Sequence, residues 1–266
     1  MINTLGIHHI TAIVGHPKEN MDFYAGVLGL RFVKKTVNFD DPSTYHFYFG
    51  NNSGDPGTII TFFPWPKGAK GKIGAGQVGT TIYAIPVGSL PFWENRLKKF
   101  EITYKKYQRF DETYLACTDP HGLEIEFVES EHGKQNNWTF GDITPEVAIK
   151  GFAGAMLLSN EPDKTAQFLE EKMGFEKVGT EGDIIRYQTT TTPYAFIEVK
   201  RARFPKGKMG IGTVHHIAWR AIDDKEQLDW KQKLENERFI VTEVRDRNYF
   251  RSIYFKEVGD ILYEIA

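Results

Sequence analysis

GIHHITAIV, residues 6–14, and TVHHIAWRA, residues 213–221, carry the same HHI triplet within an apolar, strand-like run, one near each end of the chain. Two further stretches lie over them, VGTTIYAIP (78–86) and GFAGAMLLS (151–159), giving four related first strands. A repeat of this kind dictates how a site can be assembled, so it is read before anything else. Each first strand is followed by a segment with apolar residues three or four apart: 19–29, 90–100, 163–175 and 225–239. That spacing predicts helices, with Gly29 and Gly174 where a C-terminal capping glycine belongs. Three short alternating stretches then close each unit. They are LRFVKKTVNF, YHFYFGN and GTIITFFP in the first unit and TYKKYQRF, TYLACTD and LEIEFVE in the second. The third unit has FEKVGT, DIIRYQT and YAFIEVK, and the fourth FIVTEVRD, FRSIYFKE and DILYEIA.

The expected architecture is therefore α+β: four βαβββ modules over 6–66, 77–130, 150–201 and 212–266. One such module makes a half-open curved sheet whose concave face is covered only by pairing with another, so four modules imply two pairs. The stretches between them, PWPKGAKGKIGAGQ, SEHGKQNNWTFGDITPE and RARFPKGKMGIG, read as linkers. The basic glycine loop in the first lacks the GK[ST] ending of a phosphate cradle and does not lead directly from strand to helix.

Composition narrows the function classes. With 266 residues, 41% of them hydrophobic, the chain has the means to build a substantial core. Its 33 basic residues are scattered among 35 acidic ones, for a net charge of −2, which excludes the basic footprint of nucleic-acid binding. No apolar run approaches the roughly 18 residues of a membrane span, and MINTLGIHHITAIV lacks the charged start of a secretion signal. No membrane partner is expected, and the cytoplasm is the expected location. The lone Cys117 has no partner for a disulfide or a CxxC site and reads as a buried structural thiol.

What distinguishes the four units is histidine. His8-His9 and His215-His216 occupy matched positions, where the second unit has Thr80-Thr81 and the third Ala153-Gly154. A curved sheet offers a further ligand position on the last strand of a unit, where the candidates are Glu264, Glu124 or Glu126, and Glu198; the first unit has only Ile59, Ile60 and Thr61. Two imidazoles and one carboxylate form a facial triad that leaves positions open for a substrate and O₂ on iron(II). The best set is His9, His216 and Glu264, which requires modules 1 and 4 to pair around the metal, leaving 2 and 3 to pair with each other. Adjacent strand residues point to opposite faces, so both members of an HH pair reach one site only where the strand bulges. His16, in a loop, His46, in a strand beside aromatics, His121, in a DPHG turn, and His132, in a linker, receive no role.

The stretches LGIHHITAIVG, DFYAGVLGLRFVKKTVNFDDPSTYHFYFGN, GDPGTIITFFPWP, TIYAIPVGSLPFW, VHHIAWR and DRNYFRSIYF, with the closing YEIA, cover nearly the whole chain. In them the sequence resembles the hydroquinone-type ring-cleaving dioxygenases of the vicinal-oxygen-chelate superfamily. The resemblance implies iron(II), with manganese(II) as the alternative ion, on His9, His216 and Glu264. It further implies roles for His8, Thr11, His215, Arg247 and Tyr254, with a small aromatic substrate and O₂ as partners. His8 or His215 would move a proton, while Arg247 and Tyr254 would orient the substrate and stabilise negative charge developing on oxygen. Members usually continue well past the ligand glutamate with a segment covering the site, whereas this sequence ends two residues after Glu264; the two readings are a more open site or a sequence that is not the whole chain. A homo-oligomer is left open. The competing functions are a glyoxalase-like isomerase or lyase, which normally uses more carboxylates with zinc or nickel, and a non-catalytic resistance protein that binds an aromatic compound or an electrophile.

Overall fold

The computed structural model describes residues 2–191, 195–248 and 250–266. The first unit comprises β1 (Ile7–Val14), α1 (Pro17–Met21), β2 (Arg31–Val37), β3 (Tyr45–Gly50) and β4 (Ile59–Pro64). The second has β5 (Gln77–Ile85), α2 (Leu90–Lys99), β6 (Tyr104–Arg109), β7 (Glu112–Thr118) and β8 (Glu124–Glu129). The third has β9 (Gly151–Leu158), α3 (Pro162–Phe168), β10 (Phe175–Glu181), β11 (Ile184–Thr189) and β12 (Phe196–Lys200); the start of its expected last strand, at Tyr194, lies outside the described residues. The fourth has β13 (Thr213–Trp219), α4 (Asp224–Asn236), β14 (Arg245–Asp246), β15 (Arg251–Lys256) and β16 (Leu262–Ile265).

These strands form two eight-stranded sheets, in the orders β14-β15-β16-β13-β1-β4-β3-β2 and β10-β11-β12-β9-β5-β8-β7-β6. Units one and four thus share one sheet through the antiparallel β1–β13 seam, and units two and three share the other through β5–β9. Within each unit the first and last strands run parallel, as in β1–β4 and β13–β16. The helices bury one stripe: in α2, Leu90, Trp93 and Leu97 are all buried, at the three- and four-residue spacing that puts them on one face. Trp93 stacks on Phe127 of β8 at 5.1 Å between centroids.

Three local features depart from the expected pattern. The first and third helices widen into π-type turns over Asp22–Val27 and Leu169–Met173, ending near Gly29 (φ 65°) and at Gly174 (φ 80°). The alternating stretch FIVTEVRD pairs as a strand only at Arg245–Asp246. Thr242 explains why: its N–H donates to the Tyr254 carbonyl, but its hydroxyl, not its carbonyl, accepts from the Tyr254 N–H, so a side chain replaces the next rung of the ladder. Third, the two glycine-rich linkers lie against each other, bridged at Lys70–Ile211, Lys72–Lys208 and Ala75–Lys206. A Cβ on Gly74 would come within 2.4 Å of the Pro205 carbonyl oxygen, so close backbone approach accounts for glycine there.

Both seams contain paired bulges. In the first sheet Ile7 pairs with Trp219 and His9 with Ala218, so His8 is an extra residue on β1; Thr11 pairs with His216 and Ala12 with Val214, so His215 is the extra residue on β13. The second seam repeats this with Gly79 and Ala153. The bulges correct the alignment of the second unit by one residue. His9 corresponds to Thr80 and His8 to Gly79, not to Thr81 and Thr80, while Ala153-Gly154 remains matched to His215-His216. By the same rungs Thr61 corresponds to Glu126, and Glu264 to Glu198.

In the second sheet these corresponding positions hold an ion-pair cluster. Arg109 Nη2 lies 2.6 Å from Glu126 Oε2 and 2.9 Å from Glu198 Oε2, and Arg186 Nη2 lies 2.8 Å from Glu198 Oε1. All four residues are buried. Removing one partner from such a cluster leaves a buried charge uncompensated. Arg109→Ala is expected to cost about 3–5 kcal/mol of folding stability, read as a lowered urea midpoint; an unchanged midpoint contradicts the cluster.

Candidate active site

The bulges decide how the histidines are presented. His8 Nδ1 lies 2.9 Å from His9 Nδ1, and His215 Nδ1 lies 2.8 Å from His216 Nδ1. The Nε2 atoms of His9 and His216 then face each other at 3.4 Å across the seam. Glu264 enters from β16, opposite the small Ala218, with Oε2 at 3.4 Å from His9 Nε2 and 2.8 Å from His216 Nε2. Among the described residues this is the one group of three whose ligand atoms gather closely enough to hold a metal ion.

The geometry fits an ion. Atoms bound at about 2.1 Å and at right angles to one another sit about 3 Å apart, which matches these three separations. The fully buried Glu264 carboxylate has its Oε2 against the two imidazole Nε2 atoms and its Oε1 without a hydrogen-bond partner, an arrangement that a cation between the three groups would compensate. Burial by itself pushes the Glu264 carboxyl up, but the imidazoles of His9 and His216 hold it well below the usual carboxylate range. Burial lowers His216, partly offset by Glu264. An ionised carboxylate beside a neutral imidazole is the protonation state that a cation requires.

The Nδ1 contacts constrain the outer histidines. A ligand imidazole bound through Nε2 carries its proton on Nδ1 and donates it to the neighbour's Nδ1, which fixes ring orientation and tautomer. His8 and His215 are then protonated on Nε2. Each is pulled down to about 3, by burial first and by the adjacent imidazole second, so both are neutral donors around neutral pH.

A cavity of about 260 Å³ opens on the triad, sized for one small ring. Of the expected site residues it is lined by His9, Thr11, His215, His216, Arg247, Tyr254 and Glu264; His8 sits behind His9 and does not line it. A larger cavity, about 610 Å³, opens on the other sheet beside Arg109 and Glu126, but no imidazole lines it, so donor chemistry selects the smaller one. Arg247 donates from Nη2 to Asp40 Oδ2 at 3.0 Å and to the Tyr254 hydroxyl at 3.2 Å, and from Nε to Ser252 Oγ at 3.3 Å. Arg245 meets the other Asp40 oxygen at 2.6 Å, tying the loop after β2 to the fourth unit. Burial and the nearby Glu264 raise the Tyr254 phenol well above its usual value. Tyr249, inside the DRNYF motif, lies outside the described residues.

Sequence reading missed several lining residues. His46, given no role, faces this cavity with Tyr48, and Phe39, Phe63, Trp65 and Phe250 supply aromatic walls. The two-residue spacing of His46 and Tyr48 marks one face of β3, but which face became legible only with the strand order.

The sheet pairs and the His-His-Glu cluster agree with what the chain matches. The model of the Glyoxalase/Bleomycin resistance protein/Dioxygenase superfamily matches residues 6–127 and 151–265. The chain belongs to this superfamily. It is 61% identical over 263 residues to MhqO of Bacillus subtilis (strain 168), named as a ring-cleaving dioxygenase, covering 99% of this chain and 84% of that protein. It is 32% identical over 272 residues to the chlorohydroquinone/hydroquinone 1,2-dioxygenase of Sphingobium indicum, covering 98% and 84%. A dioxygenase crystal structure from Bacillus subtilis superposes with a TM-score of 0.98 at 60% identity, over 100% of this chain and 86% of that one. Glyoxalase I from Zea mays, at 12% identity and a TM-score of 0.70 over 98% and 91%, shares the fold. Within its superfamily the chain is a ring-cleaving dioxygenase.

A divalent ion at 100 times its Kd stabilises a single site by about 2.7 kcal/mol, or about 5–10 °C in Tm for a chain of this size. Anaerobic iron(II) is expected to raise Tm by that amount and to leave Glu264→Ala unmoved. An equal rise in the variant places the ion elsewhere.

Proposed function

We propose that this chain opens the ring of a hydroquinone with O₂, using one iron(II) held by His9, His216 and Glu264, with manganese(II) as the alternative ion. The observation that carries the reading is the meeting of the three ligand atoms, 2.8 to 3.4 Å apart, at the floor of a ring-sized cavity. Two imidazoles with one carboxylate favour iron among the divalent ions. The hydroquinone dioxygenase of Sphingobium indicum supports the substrate class.

When bound, the ion supplies Lewis-acid activation of a substrate hydroxyl and the redox capacity to bring O₂ and the ring into reaction. The chain's own residues do the rest. A para-hydroquinone offers a metal only one oxygen, so the ring and the far hydroxyl need protein contacts, for which the aromatic walls and the polar mouth are suited. Arg247 is held in place by Asp40 and Ser252. Its bond to the Tyr254 oxygen leaves the phenolic proton for the cavity, and the raised phenol keeps that proton through neutral pH. Tyr254, Arg247 and the Nε2–H of His215 therefore present donors where negative charge develops on oxygen. Thr11 adds a hydroxyl on the same face of β1 as His9. His8, behind His9, orients that ligand.

Oxygen-electrode assays of the anaerobically iron-loaded protein with hydroquinone, methylhydroquinone, chlorohydroquinone and catechol test this reading. Uptake with the hydroquinones is expected, with both O₂ atoms in a ring-opened product by mass spectrometry. Turnover of catechol alone would remove the hydroquinone assignment, and no uptake with any substrate would remove the reaction. Arg247→Met and Tyr254→Phe are each expected to lower kcat by roughly a hundredfold with iron content unchanged. Loss of iron in either would assign that residue to the metal site instead.

A further inference from the structure

Thr11, Thr61, His46 and Tyr48 stand in one unbroken line of hydrogen bonds. Thr11 Oγ1 lies 2.7 Å from Thr61 Oγ1, Thr61 Oγ1 lies 2.8 Å from His46 Nε2, and the Tyr48 hydroxyl lies 2.9 Å from His46 Nδ1. Thr11, His46 and the half-buried Tyr48 all line the metal cavity, while Thr61, which joins Thr11 to His46, is fully buried, as is Thr11. The sheet builds it: Thr11 pairs with Thr61 across β1–β4, and Thr61 with Tyr48 across β4–β3.

The composition of this line goes beyond satisfying buried polar groups. Every member both donates and accepts, and each hydroxyl carries a single proton. Thr61, placed between two partners, donates to one only while accepting from the other, so the line is polarised in one direction and reverses as a unit. The rung occupied by Thr61 holds a carboxylate in each of the other units, as Glu126, Glu198 and Glu264. An ionised carboxylate accepts but cannot donate, and would break the line. The other outer imidazoles are placed differently: His8 lies behind His9 and does not line the cavity, and His215 has its Nδ1 against His216.

We propose that Thr11, Thr61, His46 and Tyr48 form a relay that takes the proton from the substrate's hydroxyl beside the metal ligands and carries it to Tyr48, the most exposed member of the line. The inference rests on the reading that a hydroquinone binds here. The substrate O–H bond breaks as a new O–H bond forms on Thr11; the Thr11 proton moves to Thr61, the Thr61 proton to His46 Nε2, and the His46 Nδ1 proton to the Tyr48 oxygen, whose own proton leaves to solvent. No electrons are exchanged, and the imidazole gains one proton as it loses another. Thr11 meets the substrate, while Thr61, His46 and Tyr48 act through it as positioning residues.

Thr61→Val keeps the shape and removes the hydroxyl, and Thr61→Ser restores it. The test is stopped-flow binding of nitrohydroquinone to the iron-loaded protein without O₂, following proton release with a pH indicator, together with kcat and KM for hydroquinone in O₂. The relay predicts that Thr61→Val binds with similar affinity and KM but releases the proton, and turns over, roughly a hundredfold more slowly, and that Thr61→Ser recovers most of the rate. Wild-type rates in Thr61→Val overturn the relay, as does equal slowing in Thr61→Ser, which would mark a packing effect. Absence of proton release from the wild type on binding, or failure to bind, overturns it too. Proton release without O₂ uptake would leave the relay standing and remove only the ring-opening reading.

Discussion

The structure depends on how β1 pairs with β13. An unbroken antiparallel ladder would turn neighbouring histidines to opposite faces, giving each strand one imidazole for the cavity and one for the helix side. The extra residues at His8 and His215 remove that alternation locally, at offset positions on the two strands. Each ligand ring consequently has a second ring at its Nδ1, and the two Nε2 atoms converge. The parallel run of β16 beside β13 then brings in Glu264, paired with Ala218. Buried, with Oε2 against the two imidazoles and Oε1 without a hydrogen bond, Glu264 is the group whose burial a cation would compensate.

The second sheet shows that the same scaffold, bulges included, does not by itself make a metal centre. There the positions matching the two ligand histidines are Thr80 and Gly154, and the carboxylates at the matching rungs, Glu126 and Glu198, are bridged by the guanidinium of Arg109, with Arg186 alongside. Positive charge is required wherever the concave face buries a glutamate. One half of the molecule supplies it from arginine, and in the other, on the proposed reading, a bound ion would.

Much of this was legible in the sequence. The HHI triplets and the glutamate near the end of the sequence stand out because histidine and glutamate are poor choices for a buried strand unless they ligate, and their recurrence at matched repeat positions locates them on one seam. The pairing of units one and four followed from that alone. What escaped depended on register. An unseen bulge shifted the second unit by one residue, so Thr81 was matched where Thr80 belongs. His46 looked like one aromatic among several until β3 was placed beside β4, where its Nε2 meets the Thr61 hydroxyl. The alternation of FIVTEVRD promised a strand, but Ile240 is 93% exposed and the Thr242 hydroxyl takes a rung of the ladder. Asp40 could not be linked to Arg245 and Arg247 without the sheet order that brings the loop after β2 across the mouth of the site.

Anomalous diffraction at the iron edge, from crystals grown anaerobically with iron(II), tests the central claim most directly. The account predicts one peak per chain, within bonding distance of His9 Nε2, His216 Nε2 and the Glu264 carboxylate. A peak between Glu126 and Glu198, or none beside the paired histidines, would contradict it.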